Sequence, residues 1–131
     1  MYRYTSPEFR VTQRKGDLAV AQAVATFTRL GADVLLPLTE SAAYDLVVDA
    51  KNTLYKVQVR YCSGREVGLR RIHSNSMGYV VKRIKKDSFD WLYVLDGKDS
   101  EFLIIQDLTD RNSITLKDEH RLETVFPVMC P

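Results

Sequence analysis

Alternating apolar and polar residues mark two neighbouring segments of the chain. Residues 44–49 read Tyr-Asp-Leu-Val-Val-Asp and residues 54–60 read Leu-Tyr-Lys-Val-Gln-Val-Arg, each with the two-residue period of a half-buried strand. The Lys51-Asn52 pair between them is typical of a tight turn. The pattern therefore predicts a β-hairpin.

The loop of this hairpin decides which residues face each other. If the loop has an even number of residues and is centred on Lys51-Asn52, Asp45 lies opposite Gln58 and Ala43 lies opposite Arg60. Directly opposed residues share a face about 5 Å apart, so we expect Asp45 and Gln58 to meet, with Arg60 one step along. A carboxylate, an amide and a cation that converge in this way can hold a metal ion or a phosphate.

A helical period precedes the hairpin. Apolar residues recur at helical spacing from near Asp17 to Leu30, and Gly31 is typical of a helix stop. Further strand-like runs are Asp33–Pro37, Glu66–Ile72, Gly78–Ile84, Trp91–Leu95, Glu101–Asp107 and Ser113–Leu116. The Gly78–Ile84 run fits a helix start equally well. A helix followed by mostly antiparallel strands predicts an α/β (α+β) fold with a central mixed β-sheet.

Length and composition predict a single folded domain over residues 1–131, because 45% of the residues are hydrophobic. No apolar run approaches the ~20 residues of a membrane span, and the first eight residues lack the apolar stretch of a secretory signal. Cys62 and Cys130 are too few and too far apart in sequence for a disulfide scaffold. We therefore expect reduced thiols, a cytoplasmic location and no membrane partner.

The net charge of +2 conceals a marked asymmetry along the chain. Residues 1–86 carry 15 Lys and Arg against 7 Asp and Glu, whereas residues 87–131 carry 4 against 10. The basic part indicates a polyanionic partner, and the acidic part a solvating or assembly face. If adjacent strands bring basic and acidic residues together in the fold, the separation of charge along the sequence indicates neither a polyanionic partner nor an assembly face.

Three stretches, in this order, resemble the PD-(D/E)XK nuclease superfamily, and particularly its small intron-encoded homing-endonuclease and Holliday-junction-resolvase-like members. They are Lys15-Gly16-Asp17-Leu18 at the helix start, Tyr44–Asp49, and Val57-Gln58-Val59-Arg60. The later Phe89–Val94 run looks like the strand that follows the hairpin in that group. The resemblance runs from about residue 15 to about residue 116 and implies a restriction-endonuclease-like core, its sheet flanked by helices.

The resemblance also implies a metal site. In that family a helix Glu, a strand Asp and an acid or amide on the next strand hold Mg²⁺, and a Lys two residues further on supports the chemistry. Asp45, Gln58 and the Val59 carbonyl match the strand positions, which implies that they bind Mg²⁺, or Mn²⁺ in its place, through hard oxygen ligands.

Two positions depart from the family pattern and make the implied active site degenerate. Val20 stands where the helix Glu is expected, and Asp17, one helical turn earlier, is the candidate to assist in its place. Arg60 stands at the Lys position; it can grip phosphate but cannot accept a proton. The implied catalytic set is Asp45, Gln58, Arg60 and Asp17.

Each of these residues also has a purely structural interpretation. Asp45 could cap a turn, and Gln58 and Arg60 could form the solvated face of an amphipathic strand. Asp17 could serve as a first-turn carboxylate favoured by the helix dipole.

Residues 63–86 form the most basic segment and follow the hairpin directly. The candidate DNA contacts there are Arg65, Arg70, Arg71, His73, Ser74, Asn75, Lys82, Arg83, Lys85 and Lys86. If about six of these cations neutralise phosphates, log affinity should fall with log salt with a slope near −5. A solvated charged face is the structural alternative.

These features predict a cytoplasmic, nucleoid-associated, Mg²⁺-dependent endonuclease that acts on duplex or branched DNA. Because cutting both strands needs two active sites, we expect a homodimer or homotetramer. The alternative is a catalytically inactive DNA-binding module with the same fold, and a third interpretation is an assembly subunit without a nucleic-acid role.

Overall fold

The computed structural model describes residues 14–69, 71–75, 78–82 and 88–126. The elements are α1 (Arg14–Arg29), β1 (Asp33–Leu35), β2 (Leu46–Ala50), β3 (Thr53–Cys62), β4 (Glu66–Gly68), β5 (Arg71–Asn75), β6 (Gly78–Lys82), β7 (Trp91–Asp96), β8 (Glu101–Ile104), β9 (Ser113–Thr115), a 3₁₀ helix (Asp118–His120) and α2 (Leu122–Val125). Within the described ranges, no helix is long and apolar enough to cross a membrane.

A five-stranded mixed sheet in the order β1-β2-β3-β7-β8 forms the centre of the fold. β3 pairs with β7 in parallel, and the other neighbours in this sheet are antiparallel. Two smaller ladders, β4–β9 and β5–β6, lie outside it. The expected α+β class with a central mixed sheet is confirmed.

The first helix follows the expected period but begins at Arg14, earlier than the Asp17 start expected from sequence. Gly16 did not prevent this, since the first turn relies little on internal hydrogen bonds and a helical glycine costs only about 1 kcal/mol. Its buried residues are Ala19, Ala23, Thr26 and Phe27. The expected stop is confirmed, because Gly31 adopts a left-handed φ of 92° just after the helix.

The predicted hairpin is present in the predicted register. Leu46 pairs with Val57 and Ala50 with Thr53 across a two-residue loop. Both loop residues, Lys51 and Asn52, have positive φ values of 52° and 67°. A type I′ turn requires positive φ at both positions, and its twist matches that of the two strands.

The ladder between β2 and β3 is shorter than predicted. β2 begins at Leu46, so the expected pairing of Ala43 with Arg60 is wrong, and Arg60 instead pairs with Val94 of β7. Residues 43–45 form a bend before the strand starts, so they do not extend the ladder.

Side chains alternate between the two faces of the sheet and build two clusters. Facing α1 are Leu46, Val48, Val57, Val59, Tyr93, Leu95 and Leu103, which form one cluster with Ala19, Ala23 and Phe27 of the helix and Leu122 of α2. On the other face, Leu92, Val94, Phe102 and Ile104 form a second cluster with Cys62 and with Val67, Ile114 and Leu116 of the β4–β9 layer. The sheet is therefore covered by helices on one face and by a small ladder on the other.

The described part of the basic segment contains strands. β5 and β6 form an antiparallel ladder from Arg71 opposite Lys82 to Asn75 opposite Gly78, so the helical alternative for residues 78–82 is wrong. Both strands arise within the connection between β3 and β7. The Asp33–Pro37 and Glu101–Asp107 runs end earlier than expected, at Leu35 and Ile104.

Candidate active site at the β2–β3 hairpin

Asp45 lies directly before β2 and is held by the next strand. Its Oδ2 accepts hydrogen bonds from the Gln58 side-chain Nε2 at 2.8 Å and from the Val59 backbone N–H at 2.7 Å. Its own backbone N–H donates to the Val57 carbonyl at 2.9 Å. The expected meeting of Asp45 with Gln58 is therefore found.

This contact explains how a glutamine can be buried in the middle of β3. Gln58 is only 6% exposed, and a buried amide needs hydrogen-bond partners. Because an ionised carboxylate only accepts, the NH₂ end of Gln58 must face Asp45, and its carbonyl oxygen is directed elsewhere. The Gln58 carbonyl oxygen, an atom suited to a hard cation, therefore takes no part in the hydrogen bond to Asp45.

Asp45 caps the open end of the hairpin from the opposite strand rather than a turn, and only one of its oxygens is used. Oδ1 accepts no hydrogen bond from the residues that the structure describes. The capping role and a ligand role are therefore compatible.

Arg60 directs its guanidinium back along its own strand. Its Nη1 donates to the Val59 carbonyl oxygen at 3.1 Å, and the side chain is half-buried. This carbonyl is the backbone oxygen that the family resemblance implies as a metal ligand. A fixed positive charge thus lies beside a predicted ligand atom.

The helix supplies no carboxylate to this group. Asp17, the acidic residue of α1, is exposed in the first turn and forms an ion pair with Arg14 at 3.6 Å. Val20 is half-buried and packs against the cluster between the helix and the sheet. The structure thus brings together Asp45, Gln58, Val59 and Arg60, whereas the ion pair of Asp17 is with Arg14.

The donor set nevertheless fits a hard divalent cation. In the described part of the chain, no group of three or more His, Cys, Asp or Glu side chains is placed to hold a metal ion. A carboxylate oxygen of Asp45, the amide oxygen of Gln58 and the carbonyl of Val59 are all hard ligands. Mg²⁺ is commonly held by one or two carboxylates plus water and substrate phosphates, so this set suits it.

The predicted DNA contacts lie in and around the connection between β3 and β7. Arg65 is exposed just before β4, and its Nη1 donates to the Leu116 carbonyl at 3.3 Å. Arg71, His73, Ser74 and Asn75 belong to β5 and Lys82 to β6. Arg70, Arg83, Lys85 and Lys86 lie outside the described residues. Their roles stay predictions.

Sequence reasoning missed Asp90, which closes the beginning of the β3–β7 pairing. Its Oδ2 accepts from the Lys56 N–H at 2.8 Å, and its own N–H donates to the Lys56 carbonyl at 2.8 Å. Because these residues are 34 positions apart, no local signal in the sequence could reveal the contact.

A second missed group is a polar network between α1 and the sheet. The Glu101 Oε2 accepts from the Tyr93 hydroxyl at 2.6 Å and from the Thr26 hydroxyl at 2.5 Å, and Gln22 donates to Thr26 at 3.1 Å. Burial raises the pKa of Tyr93 far above its ordinary value, and the hydrogen bond to the Glu101 carboxylate adds to the rise. The network fixes the helix on the sheet.

A helix on a mixed sheet, whose central hairpin places an aspartate against a glutamine, agrees with the restriction-endonuclease-like core that the sequence resemblance implies. The chain belongs to the PD-(D/E)XK endonuclease family, whose pattern matches residues 10–123. The superfamily resemblance seen in the sequence is thereby confirmed.

Among solved structures, the chain is similar to I-Ssp6803I, a bacterial homing endonuclease, with a TM-score of 0.70 and 27% sequence identity. The match covers 85% of this chain and 82% of that one. No curated protein matches the chain at a significant level. The family membership and this structural neighbour support a nuclease-like function.

Proposed function

We propose that this protein is a DNA endonuclease that hydrolyses phosphodiester bonds at the β2–β3 hairpin with the help of Mg²⁺ or Mn²⁺. The observation that carries the proposal is that Asp45 uses one oxygen to join Gln58 and Val59 and keeps the other out of that contact. Membership of a nuclease family supports DNA as the substrate, as does the homing-endonuclease neighbour.

Each residue of the site has a definable part in this chemistry. Asp45, Gln58 and the Val59 carbonyl would hold the cation, which when bound lowers the pKa of a water ligand and offsets charge on the phosphate. The Asp45–Gln58 and Asp45–Val59 hydrogen bonds fix the orientation of the carboxylate before substrate arrives. Arg60 stays charged and cannot take a proton from water, so it acts by binding phosphate oxygens.

A plasmid-nicking assay with a metal titration tests the proposal. We expect the wild type to nick supercoiled DNA only with Mg²⁺ or Mn²⁺, and Asp45→Asn to abolish nicking. Asp33→Asn is the matched control, because Asp33 is exposed on β1 and outside the site. Equal nicking by wild type and Asp45→Asn would overturn the proposal.

A second candidate function is a DNA-binding module that has lost catalysis. Two observations favour it: Val20 fills the position of the helix carboxylate with an apolar side chain, and Arg60 donates to a predicted ligand oxygen. Salt-sensitive DNA binding without metal-dependent nicking would select this function over the first.

We also propose that the protein works as a homodimer or homotetramer, because cutting both strands requires two sites. Large apolar side chains near the β1 edge support a contact with a second copy. Leu35, Leu36, Leu38 and Leu54 are 47%, 63%, 100% and 62% exposed. Analytical ultracentrifugation of the wild type and of Leu36→Lys/Leu38→Lys tests this oligomer. A monomeric wild type would contradict the proposal, whereas an oligomeric wild type with a monomeric double variant would support it.

A further inference from the structure

The Arg60 guanidinium and the Asp45 carboxylate both contact Val59, on the same side of β3. The N–H and C=O of one strand residue point toward the same neighbour. Because the Val59 N–H donates to Asp45, the Val59 carbonyl opens toward the same part of the hairpin, and there it accepts from Arg60 at 3.1 Å. A positive charge therefore already lies where the proposed function needs a divalent cation.

We propose that Arg60 competes with the divalent cation for the Val59 carbonyl and that DNA phosphate relieves this competition, so that metal binding depends on DNA. The inference rests on the proposed function, since it concerns the regulation of the same site. It gives the arginine at the family's lysine position a positioning and gating role.

The charges around the site support the competition. One carboxylate, Asp45, comes from the strand positions, and the helix position that would add a second holds Val20. In the free protein the Arg60 guanidinium contacts the same residue, Val59, that the Asp45 carboxylate contacts. Arginine does not lose its proton at any working pH, so the repulsion of an arriving cation is permanent while the side chain stays there.

Phosphate supplies the means of release. A guanidinium binds phosphate oxygens through two parallel hydrogen bonds between opposite charges, which are about twice as strong as neutral ones. An arginine drawn to DNA leaves the Val59 oxygen and has its charge offset by the phosphate. By thermodynamic linkage, a bound cation must then strengthen DNA binding by the same factor by which DNA strengthens cation binding.

The test measures Mn²⁺ binding directly by calorimetry in the absence of DNA. We expect Arg60→Met and Arg60→Gln to bind Mn²⁺ about tenfold more tightly than the wild type, because a nearby positive charge is removed. Arg29→Met is the matched control, with the same charge change at the end of α1, and we expect wild-type affinity. Adding Asp45→Asn to Arg60→Met should abolish the gain.

The coupling between metal and DNA is measured as the effect of Mn²⁺ on DNA affinity, from the fluorescence anisotropy of a labelled duplex at constant ionic strength. A gel verifies that the DNA stays intact. We expect Mn²⁺ to raise the DNA affinity of the wild type about tenfold and that of Arg60→Met by clearly less. Circular dichroism verifies folding of both Arg60 variants, and Arg60→Gln serves if Arg60→Met does not fold.

The outcomes separate this inference from the proposed function. If folded Arg60 variants bind Mn²⁺ within twofold of the wild type while Asp45→Asn abolishes nicking, the inference is overturned and the function stands. If Asp45→Asn nicks like the wild type, the proposed function fails. If Arg60→Met gains affinity and loses the coupling to DNA, the inference is supported even for a wild type that does not nick.

Discussion

Asp45 illustrates how one side chain can serve the fold and the chemistry together. Its Oδ2 closes the open end of the hairpin by accepting from Gln58 and Val59, just before β2 begins. Under the proposed function, a carboxylate held by two donors is already oriented when a cation arrives. The same hydrogen bonds make its substitution a test of both roles.

We expect Asp45→Ala and Asp45→Asn to separate these roles. Asp45→Ala removes the acceptor for a buried amide and a backbone N–H, so the free energy of unfolding should fall by about 1–3 kcal/mol. Asp45→Asn keeps an acceptor oxygen and should lose less than about 1 kcal/mol, although both variants should lose nicking. Urea unfolding beside the nicking assay checks this, and an Asp45→Ala protein as stable as the wild type would remove the capping role.

Tyr93 predicts a distinct alkaline behaviour. Burial, followed by the hydrogen bond to Glu101, raises its pKa in the folded protein above the unfolded value near 10. Stability from the protonated phenol is therefore fully present below about pH 10 and is lost as pH rises above it, by up to about 1.4 kcal/mol per pH unit. Urea unfolding at pH 8–11 should show this loss in the wild type.

The corresponding variant isolates the effect. Tyr93→Phe should lack this part of the pH dependence, while Tyr44→Phe, outside the Tyr93–Glu101–Thr26 network, should retain it. If wild type and Tyr93→Phe lose stability in parallel above pH 10, Tyr93 does not titrate on unfolding in the way described.

At the scale of the elements, α1 presents an apolar residue where its family carries an acid. Val20 packs against the cluster between the helix and the sheet, so Val20→Glu should cost about 1–3 kcal/mol of stability. Combined with Arg60→Lys, it should raise metal-dependent nicking about tenfold, because a second carboxylate and a smaller cation favour the metal. Val20→Gln with Arg60→Lys is the uncharged control, and equal nicking by both double variants would contradict the expectation.

The edge of the sheet carries an unfavourable pair. Asp33 of β1 lies directly opposite Asp49 of β2, and like charges at opposed positions destabilise a sheet. We expect Asp33→Asn to raise the free energy of unfolding by roughly 0.2–1 kcal/mol at low salt, and less at high salt. Glu40→Gln, an exposed change outside the strands, is the control, and a gain equal in both variants would point to overall charge instead.

Local elements were the most predictable from the sequence, and long-range pairing the least. The hairpin register and the stop at Gly31 follow from turn chemistry within a few residues. The expected start near Asp17 is too late, because α1 also includes Gly16, which the first turn of a helix tolerates. The parallel pairing of β3 with β7 was not predicted, since it depends on the distant contact of Asp90 with Lys56.

The same division applies to the site. Alternation along one hairpin was enough to bring Asp45 to Gln58. The direction of the Arg60 guanidinium was not predictable, because long side chains have many rotamers and its partner is a backbone oxygen. The roles assigned to these residues, the extent of the domain and the cytoplasmic location stay predictions.

For the whole molecule, we expect the basic segment to make the strength of the proposed DNA binding depend on salt. We expect a slope near −5 for log affinity against log salt if about six cations contact phosphates. Arg71→Gln/Lys82→Gln removes two register partners of the β5–β6 ladder and should make the slope shallower by about 2. Arg29→Gln/Arg111→Gln should leave it unchanged; an equal effect of both pairs would indicate net charge rather than a local interface.

The connection from β3 to β7 has an evolutionary consequence. Parallel strands cannot be joined by a tight turn, so a long crossover must leave the sheet and return to it. Here that excursion carries the β5–β6 ladder, while its two anchor points are fixed by the hairpin strand and by Asp90. Such an insertion can change length and sequence with little strain on the hairpin. Under the proposed function, target preference and hydrolytic chemistry would therefore be able to diverge at separate rates.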